Sequence, residues 1–85
     1  MLKVFGADIC KDCLAMKECF AEKEIAYEYT DITESTANMK EFLAIRDRHP
    51  MFAEVREGGG IGIPLFVNGE EMTFDIDLAL QWEGK

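Results

Sequence analysis

Cys10 and Cys13, separated by Lys11 and Asp12, are the residues of this chain best suited to covalent chemistry. Two cysteines at this spacing can close on each other without rearranging the backbone, so the pair can cycle between dithiol and disulfide. The stretch from Val4 to Lys17 reads as the end of a strand, a short loop and the opening of a helix. With Cys10 at the N-cap, its sulfur is expected to face the free backbone N–H groups of Asp12 and Cys13, and the helix dipole adds to them. Both favour the thiolate, the form that attacks sulfur. Lys11 acts in the same direction and Asp12 against it. Cys13, one turn in, is placed to attack any mixed disulfide formed on Cys10. The expected chemistry is thiol–disulfide exchange, with Cys10 as nucleophile and Cys13 as resolving thiol.

Metal binding is the competing use of the same pair. Zinc prefers four ligands, and the candidates are Cys10, Cys13, Cys19 and His49. On a helix Cys19 lies about 240° around and about 9 Å along from Cys13, so it cannot share a metal with that pair. His49 then leaves three ligands at most, and no metal site is expected. Cys19 sits at an apolar position and suits the core, where free cysteine behaves as a small hydrophobe. His49 is expected on the surface at a helix end.

The elements that must position the pair follow from periodicity and punctuation. Leu2–Phe5 suits a central strand, and Lys11 to about Lys23 a helix with Cys13, Met16, Phe20 and Ala21 on one face. Ile25–Ile32 reads as a second strand with Tyr27 and Tyr29 on the same side. Thr33 or Ser35 caps a second helix running to about Arg48, ended by His49-Pro50. Pro50 to Val55 suits a short turn, and Gly58–Gly60 a break. Ile63–Val67 is expected as a strand, Asn68-Gly69 as the hairpin turn and Glu70–Thr73 as the return strand. Asp75 caps a last helix ending near Gly84. Strand, helix, strand, helix, hairpin, helix implies one four-stranded mixed sheet with helices on both faces, an α/β architecture. The C-terminal end of the first strand, where the cysteines fall, is where open α/β sheets hold ligands.

Composition narrows the partners. The 85 residues, 48% hydrophobic, fit one domain spanning 1–85 with a single core. Nine basic residues against 17 acidic ones, a net charge of −8, argue against nucleic acid and anionic membranes. No apolar run approaches a membrane span, Met1–Phe5 is too short for a secretory signal, and an odd cysteine count fits a disulfide scaffold poorly. A cytoplasmic chain is the expectation.

At this level of detail the chain resembles the glutaredoxins of the thioredoxin-fold superfamily. The matching residues are Cys10-Lys11-Asp12-Cys13 at the first helix, Lys17 four residues on, Ile63-Pro64 before the hairpin, and Asp77-Leu78 opening the last helix. The resemblance implies a thioredoxin fold, a cis Ile63-Pro64 bond beside the cysteines, and a disulfide-bearing protein substrate. It places Lys11, Asp12, Ile63, Pro64, Asp75 and Asp77 around that substrate, with no resident cofactor. Glutathione is the usual electron donor in the family, but several elements of its cradle are replaced here. Ala7 stands where a lysine is usual, Lys11-Asp12 where a proline and an aromatic are usual, and Thr73-Phe74 or Phe74-Asp75 where a Gly-Gly pair is usual. Redoxins fed by thioredoxin reductase show similar losses, so the resemblance implies either donor.

Overall fold

The structure, a computed structural model, describes residues 2–84. Strand β1 (Leu2–Gly6) is the spine of the sheet because its side chains are apolar on both faces. Leu2 and Val4 point to one side and Phe5 to the other, and all three are buried. Strand β2 (Tyr27–Asp31) lies parallel to β1, pairing Leu2 with Tyr27 and Gly6 with Asp31. Strand β3 (Leu65–Asn68) runs antiparallel on the other side of β1, with Phe5 opposite Leu65. Strand β4 (Glu71–Thr73) completes the order β2-β1-β3-β4.

Helices cover both faces of this mixed sheet, each over its own apolar cluster. Helix α1 (Lys11–Glu22) and helix α4 (Ile76–Trp82) bury Met16, Phe20, Ala79 and Leu80 against Leu2, Val4 and Phe66. Cys19, expected in the core, is half-buried at the edge of that cluster, as is Trp82. On the opposite face, helix α2 (Thr36–Arg46) brings Phe42 onto Phe5, Ile32 and Leu65. A 3-10 turn (Pro50–Phe52) adds Phe52, which meets Phe42 edge-on at 5.9 Å between centroids. Among the described residues, no helix is long and apolar enough to cross a membrane.

Several boundaries differ from the sequence expectation, each for a local reason. Ala21 is exposed, so the buried face of α1 is narrower, carried by Cys13, Met16 and Phe20. β2 begins at Tyr27 instead of Ile25 because α1 ends with Glu24 at φ 53 and the Ile25 N–H donating to the Phe20 carbonyl at 3.0 Å. That six-to-one bond buries Ile25 against the helix end instead of extending it into the sheet. At the other end of β2, Thr33 donates from both N–H and hydroxyl to the Asp31 carboxylate, which turns the chain before Ile32 can prolong the strand. Ser35, not Thr33, then caps α2, accepting from the Asn38 N–H at 3.1 Å.

The segment expected as a turn from Pro50 continues into a short helix, α3 (Ala53–Glu57), and α2 stops at Arg46 instead of Arg48. Arg56 caps that end of α2 by donating to the carbonyls of Arg46 and His49. The half-buried His49 does more than mark a helix end, since its Nδ1 accepts from the Met51 N–H at 3.2 Å. β3 starts at Leu65, two residues later than expected. Pro64 has no N–H for the ladder, and Gly62 at φ 94 bends the chain just before it. The hairpin turn is Gly69-Glu70 instead of Asn68-Gly69, since Asn68 pairs with Glu71. Gly69 at φ 64 supplies the left-handed residue that such a turn requires. Asp75 caps α4 as expected, accepting from the Asp77 N–H at 2.9 Å, although α4 ends at Trp82.

Candidate functional site

Because β1 is parallel to β2 and antiparallel to β3, three chain crossings meet at one edge of the sheet. The loop leaving β1 carries Cys10, the turn leaving β2 carries Ile32, and the approach to β3 carries Ile63 and Pro64. The Ile63-Pro64 peptide bond is cis.

Cys10 occupies the N-cap of α1 in extended conformation, its N–H donating to the Ala7 carbonyl at 3.0 Å and its carbonyl accepting from Leu14 at 3.1 Å. The expected contact between its sulfur and the first N–H groups of the helix is not made, since the side chain forms no capping hydrogen bond. The sulfur instead packs at the edge of the α2-side cluster and lines a cleft of about 670 Å³. Cys10 is half-buried, whereas Cys13 is wholly buried, and all three cysteines are thiols. Burial pushes the Cys13 thiol up to about 12. The Ala7 N–H pulls the other way, while the neighbouring Cys10 sulfur and the Asp12 carboxylate push it further up.

This asymmetry has a measurable consequence for the reduced protein. Iodoacetamide at neutral pH is expected to modify Cys10 and leave Cys13 untouched, because Cys13 is both inaccessible and protonated. Reaction at Cys13 should rise about tenfold per pH unit in the alkaline range, as thiolate is the reacting form. Peptide mapping of alkylated protein between pH 7 and 10 measures both rates, and equal modification at pH 7 would contradict the placement.

The cleft beside Cys10 is apolar, walled by Ile32, Met39, Leu43 and Ile63, with Ile61 56% exposed on its rim. Ile9 stands 86% exposed next to the nucleophile candidate. Arg46 is the one cation in the wall, and its guanidinium donates to the carbonyls of Gly60 at 2.6 Å and Ile61 at 3.1 Å. A second cleft, about 470 Å³, lies on the other side of Ile63 and Pro64, where Asp12, Met16 and Phe74 line it. Of the residues that the resemblance places around a substrate, Asp12, Ile63 and Pro64 therefore share this edge with Cys10. Lys11 is exposed on the first turn of α1 and lines neither cleft. Asp75 and Asp77 line neither, and the Asp75 carboxylate is engaged in capping.

No family model, curated protein or solved structure compared with the chain gives a match. The residues themselves carry the functional reading.

Beneath the cysteines lies a polar cluster that the sequence does not announce. Lys17 pairs with Asp8 at 2.6 Å and sits 4.0 Å above the Tyr29 ring. Its hydrogen bond to Asp8 raises the Lys17 ammonium above its ordinary value. Asp31 accepts from Thr33 and is held below the usual carboxylate value, chiefly by that hydroxyl. It also accepts from the Asp8 N–H at 3.4 Å, which ties the cysteine loop to the end of β2. The available signal was Lys17, one turn beyond Cys13 on α1; nothing in the spacing says that Asp8 folds back to meet it. Among the described residues, no group of three or more candidate ligands could hold a metal ion.

Proposed function

We propose that this chain is a thiol–disulfide oxidoreductase of glutaredoxin type, built on a thioredoxin fold. The reading rests chiefly on one observation: a half-buried Cys10 stands at the mouth of α1 beside a fully buried Cys13, with Ile63 in the same apolar cluster as Cys10. Cys10 attacks a substrate disulfide, joining one substrate sulfur and releasing the other as thiolate. Cys13 then loses its proton and attacks Cys10, forming the Cys10–Cys13 disulfide and freeing the second substrate thiol. Two electrons from an external thiol donor restore the dithiol. The site works without a resident cofactor, in a reducing cytoplasmic setting.

The substrate is a disulfide-bearing protein, and the apolar cleft beside Cys10 favours it. Ile9, Ile61 and Met39 offer surface to apolar side chains flanking the disulfide, and Arg46 is already committed to backbone carbonyls. The same features favour thioredoxin reductase over glutathione as donor, since a small anionic tripeptide finds no uncommitted cation in the cleft wall.

Equilibration with dithiol buffers tests the reading. A reversible two-electron couple for Cys10–Cys13 between about −180 and −300 mV is expected, the range of such oxidoreductases. Stoichiometric metal uptake without a reversible couple would overturn it in favour of a metal- or partner-binding module. Reduction of hydroxyethyl disulfide with glutathione, run beside the same assay with thioredoxin reductase, separates the donors.

A further inference from the structure

The Tyr29 hydroxyl is buried without a well-formed hydrogen bond, the one such side-chain polar atom among the described residues, although the Asp8 carboxylate comes close enough to act on it. A buried, unsatisfied hydroxyl is destabilising, which favours a partner that exists in another state of the molecule. The surroundings identify that state. A Cβ built on Gly6 would stand 2.8 Å from the Tyr29 oxygen and 3.0 Å from the Cys13 sulfur, so both atoms lie against the bare side of this glycine and within about 6 Å of each other. Any larger residue at position 6 would press on both.

We propose that the Tyr29 hydroxyl donates a hydrogen bond to the Cys13 sulfur when that sulfur becomes a thiolate, and so assists its attack on Cys10. The proposal rests on the exchange reading given above. In the resolving step the Cys13 S–H loses its proton to solvent, and its sulfur forms the bond to Cys10. The bond from Cys10 to the substrate sulfur breaks, and that sulfur leaves with the electron pair and takes up a proton. Tyr29 keeps its own proton throughout.

The charges around the ring suit a donor. Asp8 and Asp31 approach from the loop and from β2, and Lys17 of α1 lies over the ring face while Tyr27 meets its edge. Burial first, then the charges of Cys13, Asp8 and Asp31 and a weak hydrogen-bonding approach to Asp8, push the Tyr29 phenol above its usual value, so it stays protonated while Cys13 ionises. Cys10 and Asp12, on the other side of Cys13, both oppose that ionisation. Once Cys10 is joined to substrate its sulfur no longer does so, and burial remains the main obstacle.

The test uses the Cys19→Ala protein and an aryl disulfide whose released thiolate is coloured. The first release reports attack by Cys10 and the second reports resolution by Cys13. Tyr29→Phe keeps the ring and its contact with Lys17 and removes only the hydroxyl. It is expected to slow the second release about tenfold or more and to move its pH profile upward, since a hydrogen bond to a charged group is lost. The first release should be unchanged, and the thermal midpoint should hold or rise, since an unsatisfied buried hydroxyl is removed. An unaltered second release, or equal slowing of both, overturns the inference while leaving the exchange reading intact. No first release in the parent protein would overturn the exchange reading, and the inference with it.

Discussion

Replacing Cys10 by serine is expected to reduce disulfide exchange by at least ~10³-fold, whereas replacing Cys13 by serine should leave the first attack intact and accumulate mixed disulfides on Cys10. The two outcomes differ because the sulfurs differ in access. Cys10 lines an open cleft, and Cys13 has no exposed surface. Without Cys13, release depends on an outside thiol in place of a neighbour at high effective concentration, so turnover should fall by about 10²-fold or more. Mass spectrometry of the Cys13→Ser protein after exposure to a small disulfide-bonded protein reads the trapped adduct, and a coupled assay reads turnover. Equal, mild losses in both variants would contradict the assignment of roles.

The second large effect lies in the backbone that delivers Ile63 and Pro64. Gly62 has φ 94, and a Cβ there would stand 2.5 Å from Cε2 of Phe52. Phe52 has no exposed surface and is gripped by Phe42 on one side and Phe74, 4.9 Å between centroids, on the other, so its ring cannot yield cheaply. Gly62→Ala is therefore expected to destabilise the protein by about 2–4 kcal/mol, combining backbone strain with overpacking. For a domain of this size that lowers the thermal midpoint by roughly 10–25 °C. Gly59→Ala separates the two causes. Gly59 also has positive φ, at 75, yet nothing lies within 4 Å of where its Cβ would stand. It should cost only about 1 kcal/mol. Equal melting of the two variants would show that contact with Phe52 does not matter.

These cases also mark how far the residues alone could be read. Asp75 and Ser35 announce their helices because capping is local, a side chain meeting an N–H two or three residues on. Phe5 and Phe20 declare themselves core by spacing, and the four-stranded mixed sheet follows from the succession of elements, though the pairing of the third strand with the first does not. The cysteine pair was legible for the same reason, since both residues fall within one helical turn. Features that depend on distant residues were not. The Cys10 sulfur was expected at the helix N–H groups, but the α2-side residues offer it an apolar neighbourhood that no local rule contains. Tyr29 looked like any inward-facing residue of a strand; only the register of β1 against β2 brings it to Gly6 and Cys13. Arg46 and Arg56 likewise have no local signature, because their partners are carbonyls ten or more residues away, or seven in the case of His49.

Those carbonyl partners matter for how the cleft behaves in solution. Peptide oxygens bear no net charge and take up no proton in ordinary buffers, unlike the carboxylate that holds Lys17 at Asp8. The rim at Gly60 and Ile61 is thereby fastened through acceptors that acidification does not neutralise and that ionic strength weakens less than an ion pair. The Arg46 contacts at Gly60 and Ile61 should therefore persist on acidification, whereas the Asp31 carboxylate that holds Thr33 and the cysteine loop is open to protonation.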